Sequence, residues 1–92
     1  MSKLTLGEVV VTTGIDSEIS ENPVFHLEVA TALEKYSNLD WGDTCEEDRI
    51  TNNQALTSNE RILAVYNTCK GKIWIITEWD RSVTTILFPD EY

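Results

Sequence analysis

Apolar positions recur along this chain at two different periods, and each period predicts its own kind of element. From Leu4 to Thr13 the residues are rich in β-branched side chains, which predicts a strand ended by Gly14. Asp16 then offers a side-chain oxygen to free amides and predicts a short helical turn over Ser17 to Ser20. The next start signal is stronger. Asn22 is placed to cap a helix whose first position is Pro23, where a missing N–H costs nothing. Phe25, Val29, Ala32 and Tyr36 recur at four, three and four residues, with Leu27, Ala30 and Leu33 widening the stripe. That spacing predicts a helix over 23–37, closed by Ser37 and Asn38.

Leu39 to Asp43 reads as a connector, and a second helix is expected to start at Asp43 or Thr44 and run to about Leu56. Thr44 with Glu47 has the spacing of a reciprocal capping box, and Asp43 with Glu46 gives an alternative frame. Its apolar face (Cys45, Ile50, Ala55, Leu56) is thin, which places it on the surface. The remainder reads as β structure. Glu60 to Thr68 and Lys72 to Trp79 flank a Cys69-Lys70-Gly71 hairpin loop, Asp80-Arg81-Ser82 turns the chain, and Pro89 stops a strand over Val83 to Phe88. Both faces of Ile73-Trp74-Ile75-Ile76 are apolar, as in the middle strand of a sheet covered on at least part of each side. The expected fold is one α+β domain over residues 1–92. An antiparallel β-meander of three to four strands, with the first strand joining an edge, is packed by one main helix, beside a short acidic surface helix.

Composition changes this picture little. With 41% apolar residues in 92, the chain has enough for one core and lacks the signature of intrinsic disorder. Cys45 and Cys69 are too few for a disulfide framework and read as small buried apolar side chains in a reduced protein. No charged-then-apolar leader opens the sequence, and no apolar run approaches the ~20 residues that span a bilayer. A cytoplasmic location follows as the expectation.

Charge changes it a great deal. Residues 1–48 hold eleven acids against Lys3 and Lys35, whereas residues 49–92 hold five acids against five bases, so the whole net charge of −9 lies in the first half. Such a surface repels nucleic acid and anionic membrane and attracts basic protein surfaces. The densest cluster is Asp40, Asp43, Glu46, Glu47 and Asp48, with Trp41 among them as an exposed candidate anchor. Negative charge near a helix start is favourable by about 0.3–1 kcal/mol per group, and like charges four apart cost a few tenths. The two effects nearly cancel, so stability accounts for some of these acids and not for five.

Little else carries chemistry. The acidic segment lacks the ligand spacing of a calcium loop, and Cys45, Cys69 and His26 are too scattered for zinc, so no metal or cofactor is expected. His26 is a lone imidazole on a helix, and no nucleophile elbow or phosphate loop is present. Glu78 and Asp80 form the one carboxylate pair available for acid–base work, but Arg81 beside them makes an ion pair at the turn the simpler role. Trp74 reads as core and Trp79 as exposed. Acids flank Trp41 and Trp79 where a nucleic-acid binder would carry bases.

The segments WGDTCEED and KIWIITEWDRSVTTILFPDEY resemble a family of short acidic bacterial proteins carried on plasmids, prophages and other mobile elements. Trp41, Gly42, Asp43, Glu47 and Asp48 match its first motif. Arg61, Tyr66, Trp74, Glu78, Asp80, Arg81, Ser82, Thr84, Thr85, Glu91 and Tyr92 match the rest, whereas Trp79 stands where the family carries a small residue. The resemblance covers residues 39–92 and implies a mobile-element setting in a host bacterial cell, and no reaction. Together with the charge map it predicts a non-enzymatic inhibitor of a host nucleic-acid-binding defence complex, of the anti-CRISPR or anti-restriction kind. Asp40, Asp43, Glu46, Glu47 and Asp48 would replace phosphates in a basic groove, with Trp41 anchoring beside them. The rival expectations are a small carboxylate-dependent, metal-assisted enzyme using Glu78, Asp80 or the 43–48 acids, and an acidic adaptor or assembly subunit.

Overall fold

Buried and part-exposed side chains alternate along β2 (Ile62–Thr68) and β4 (Val83–Leu87), while β3 (Gly71–Thr77) between them is buried through most of its second half. The computed structural model describes residues 4–92; Lys3, one of the two bases of the acidic half, lies outside them. Ahead of these strands come β1 (Glu8–Val11), α1 (Thr13–Glu21), α2 (Pro23–Ser37) and α3 (Glu46–Ser58), and a 3₁₀ turn over Pro89–Glu91 follows. The sheet order is β1-β4-β3-β2, with β1 parallel to β4 and the other pairs antiparallel. The α+β class is as the sequence implies: a meander with the first strand added at one edge.

Register divides the sheet into two unlike faces. On one, Ile62, Ala64, Tyr66, Ile73, Ile75 and Ile86 join Ile15 of α1, Phe25, Val29, Ala32 and Tyr36 of α2, and Ala55 of α3 in a single core. Thr77 and Thr84 are also buried there, and their hydroxyls form a one-way relay. The Thr84 hydroxyl donates to the Leu6 carbonyl at 2.7 Å, which leaves it to accept from Thr77 at 2.8 Å. Thr77 in turn accepts from the Tyr36 hydroxyl at 2.6 Å. Every member is satisfied, the condition under which a buried polar chain stabilises. Burial pushes the Tyr36 hydroxyl up to about 12. On the other face lie Leu63, Ile76, Thr85 and Val10 in one row across all four strands, with Val65, Trp74 and Leu87 in the next. Ile76 and Leu87 are buried yet stand apart from the helix-covered core.

α2 forms as its cap predicts. The Asn22 carboxamide oxygen accepts from the Val24 and Phe25 amides at 3.0 and 3.1 Å, and Pro23 opens the first turn. Elsewhere boundaries move for identifiable reasons. β1 stops at Val11, and Gly14 lies inside a nine-residue α1 in place of the expected turn over Ser17–Ser20. Its first turn is held from afar: Glu91 accepts from the Gly14 amide at 3.0 Å and the Thr12 hydroxyl at 2.6 Å. The same carboxylate accepts from the Phe88 amide at 3.0 Å. These donors hold the Glu91 carboxyl below its ordinary value. α3 starts at Glu46 with Cys45 as its cap residue and runs to Ser58, where left-handed Asn59 ends it. The capping boxes expected from Thr44 and Asp43 are absent there, because both side chains turn to β2. Cys45 and Cys69 are exposed free thiols, contrary to the expectation of buried ones. Trp74 is half-buried on the sheet face away from the helices, its ring edge-on to Tyr92 at 5.6 Å. The expected ion pair at the last turn takes another form: Glu78 meets Arg61 at 3.6 Å. Arg81 instead donates to the carbonyls of Ala55, Glu60 and Glu78 at 2.8, 2.7 and 3.1 Å. It thereby ties the end of α3 to the β3–β4 turn.

Candidate protein-binding surface

The outer edge of β2 would present unpaired amides and carbonyls to solvent, and the acidic segment covers it. The Asp43 amide donates to the Val65 carbonyl at 2.9 Å, the Thr44 hydroxyl accepts from the Val65 amide at 2.9 Å, and the Asp43 carboxylate accepts from the Asn67 amide at 2.9 Å. Further along the edge, the Asn52 side chain donates to the Leu63 carbonyl at 2.9 Å and accepts from its amide at 3.3 Å. Thr44 and Asn52 are both buried, and Gly42 bridges to Val65. Gly42 has φ +62°, and a Cβ there would collide with the Tyr66 ring, so the segment lies against β2 only with glycine at this position.

The expected site residues divide accordingly. Asp40 is exposed; its carboxylate accepts from the Gly42 amide at 3.0 Å, and its carbonyl accepts from the Tyr66 hydroxyl at 2.6 Å. Asp43 is exposed but bound to the sheet edge, as above. Glu46, Glu47 and Asp48 form the exposed first turn of α3. Trp41 departs from the expectation of an exposed anchor. It is 5% exposed, its indole donates to the Asn53 side chain at 2.9 Å, and its ring stands edge-on to Tyr36 at 5.6 Å. The backbone turn that bonds Asp43 to Val65 drives this side chain into the core, so it fixes the segment and presents nothing to a partner. Trp79 is the exposed indole, at 64%.

Three bases lie near these acids, Arg49 within the segment, Lys35 lining the same cleft as Asp43 and Arg61 lining the same recess as Asp48, and among the described residues none forms an ion pair with them. The Arg49 guanidinium donates to the Thr44 carbonyl at 2.6 Å and to the Gly42 carbonyl, closing the loop on itself. Among the described residues the ion pairs are Arg61–Glu78 and Lys70–Glu18, and neither includes Asp40, Asp43, Glu46, Glu47 or Asp48. Beside the segment, a shallow cleft of about 270 Å³ runs between α2 and β2, lined by Leu27, Thr31, Lys35, Asp43, Tyr66 and Asn67. Leu27 stands 68% exposed on its rim.

The residues that position this surface, Thr44, Asn52, Asn53 and Asn67, escape a reading of the sequence alone. The one signal for them is Asn52-Asn53 in the middle of a helix, where Asn is a poor helix former. The alternative carboxylate pair is committed elsewhere. Asp80 accepts from the Ser82 amide at 3.1 Å and hydroxyl at 2.6 Å, which hold its carboxyl below the ordinary value, and Glu78 faces Arg61. Among the described residues no three His, Cys, Asp or Glu side chains gather as a metal site, and no helix is long and apolar enough to cross a membrane. No protein-family model matches the chain, and no curated protein or solved structure matches it either.

Proposed function

We propose that this chain is an inhibitor encoded by a mobile element. In this reading it binds the basic surface of a host nucleic-acid-binding defence complex, of the anti-CRISPR or anti-restriction kind, with its acidic segment standing in for a run of phosphates. One observation carries the proposal: five exposed carboxylates lie on a segment bonded along a sheet edge, with one guanidinium among them tied to backbone carbonyls. A segment whose backbone is already bonded to the sheet loses little backbone freedom on binding, and complementary charge raises the association rate and sets orientation. Trp41 has no part in the contact, and Leu27 beside the cleft supplies apolar surface next to Asp43. The resemblance of residues 39–92 to mobile-element proteins supplies the setting.

Neutralising Glu46, Glu47 and Asp48 together, as E46Q/E47Q/D48N, tests the reading without touching the edge bonds of Asp43. The variant is expected to keep the fold and to lose capture of a nucleic-acid-binding protein from bacterial lysate. Capture that survives the triple change contradicts the acidic-surface mechanism.

A further inference from the structure

The two edges of the sheet are finished in opposite ways. On the β2 edge the outward amides of Leu63, Val65 and Asn67 are each bonded by a side chain of α3 or of the acidic segment. The β1 edge is open. The Glu8 and Thr12 amides donate to the Ser82 and Ile86 carbonyls at 3.0 and 3.1 Å, so Glu8, Val10 and Thr12 face β4. The N–H and C=O groups of Val9 and Val11 alternate with them and point away from the sheet. Among the described residues no group bonds to those four. The valine side chains leave the edge accessible, at 40% and 37% exposed. Lys and Pro, which commonly guard such an edge, are absent from residues 4–22, and its shortness limits it to these four backbone groups. The strand is nevertheless fixed at both ends. Gly7, at φ +65°, lies where a Cβ would collide with the Arg81 and Ser82 carbonyls, and the Thr12 hydroxyl donates to Glu91 at 2.6 Å. A strand already held extended gives up little backbone freedom when another chain pairs with it.

We infer that β1 is a docking edge for an extended segment of a basic protein, which adds to the sheet as an antiparallel fifth strand. An extended backbone matches the ~6.8 Å repeat of donor and acceptor at Val9 and Val11, and antiparallel pairing is the stronger geometry. Two partner residues, two apart, exchange both bonds with Val9 and with Val11. Their side chains lie beside the valines on the helix side of the sheet, where β-branched residues pack well. The partner residue between them stands opposite Val10, and the next one toward the partner's C-terminus stands opposite Glu8. Glu8 is exposed. Residues 4–22 carry Glu8, Asp16, Glu18 and Glu21 and no base, and the ion pair with Lys70 reaches Glu18 alone. A Lys or Arg is therefore favoured opposite Glu8, and the recognised segment reads apolar, any, apolar, basic. Charge tells against a second copy of this chain. It would bring together two chains of −9 and, in the register centred on Val10, set Thr12 against Glu8. This inference is separate from the acidic-surface reading, which concerns the opposite edge of the sheet.

Amide NMR of the whole chain, titrated with the acetylated and amidated hexapeptide Thr-Val-Thr-Val-Lys-Thr, tests it. The Val9 and Val11 amide signals are expected to shift and saturate in the millimolar range, and their exchange with solvent to slow about five-fold near saturation. The Leu63 and Val65 signals on the sealed edge are expected to stay in place. The same peptide N-methylated at both valines keeps its charge and apolar surface but cannot pair, and is expected to move nothing. Replacing its Lys by Glu is expected to weaken binding about five-fold. Val9→Pro removes an outward donor where an edge strand tolerates proline, and is expected to fold and lose the response. The N-methylated peptide on the wild type decides the matter even if that variant does not fold. E46Q/E47Q/D48N is expected to keep the response, so the two readings fail separately. An equal response to the N-methylated peptide, a response centred away from β1, or no response up to about 10 mM overturns the inference. Protection of the Val9 and Val11 amides that grows with the chain's own concentration also overturns it, by assigning the edge to a second copy.

Discussion

Asp43 and Asn67, separated by 24 residues, are joined by a 2.9 Å hydrogen bond from the Asn67 amide to the Asp43 carboxylate. One of the five acids therefore holds the acidic segment to the sheet, and the other side chains of the cluster are carried into place by it. Asp43→Ala is expected to lower stability by about 1 kcal/mol, since water reaches the exposed edge and compensates part of the lost bond. Asp43→Asn keeps an acceptor oxygen and is expected to cost less. E46Q/E47Q/D48N removes favourable charge from a helix start and relieves like-charge crowding, so its unfolding free energy is expected within about 1 kcal/mol of the wild type. Urea unfolding of the three proteins checks the order.

Glu91 closes the molecule in a comparable way, reaching Gly14 across 77 residues. Glu91→Ala is expected to cost about 1 kcal/mol, the usual worth of a helix cap, discounted because the site is exposed. The folded carboxyl is held below its ordinary value, so its contribution is present above about pH 4.5 and is lost as pH falls through the depressed value. Urea midpoints between pH 3 and 7 are expected to fall less steeply on the acid side in Glu91→Gln than in the wild type.

The opposite limb belongs to Tyr36. Its hydroxyl keeps its proton to about 12 in the folded chain, against 10.0 when free, so stability is complete below pH 10.0 and declines as pH rises toward about 12. The decline is roughly 2–3 kcal/mol for this group, and Tyr66, also raised by burial, adds to it with the same sign. Tyr36→Phe is expected to cost about 1–2 kcal/mol at neutral pH and to flatten the alkaline decline in urea midpoints measured between pH 8 and 12.

Much of the fold is legible in the residue pattern, and what is not has one physical origin. α2 carries its own cap and its own stripe, and the meander carries its own turns, so local signals suffice there. α1 is longer than expected because its N-terminal amide finds Glu91, a partner no local window contains. α3 starts late because Asp43 and Thr44 bond to β2 across more than twenty residues. The charge asymmetry is visible in the chain, and so are the five acids. The burial of Trp41 is not, because two flanking acids mark it as exposed while the Asp43–Val65 backbone bond turns it inward.

That burial has a direct consequence for stability. Trp41→Ala is expected to destabilise by about 3–5 kcal/mol, as for a large aromatic removed from a packed core, and not to act as a pure binding mutant. In fluorescence quenching by acrylamide, Trp79→Phe is expected to remove most of the readily quenched signal, since Trp79 is 64% exposed and Trp41 is 5%.

The most direct measurement is capture from bacterial lysate on immobilised wild type and on E46Q/E47Q/D48N, washed at low and then at high salt. The wild type is expected to retain a nucleic-acid-binding protein at low salt and to release it at high salt or to added duplex DNA, and the triple variant is expected to retain none. The same protein held equally by both, or held by the wild type regardless of salt and DNA, would contradict the acidic-surface mechanism.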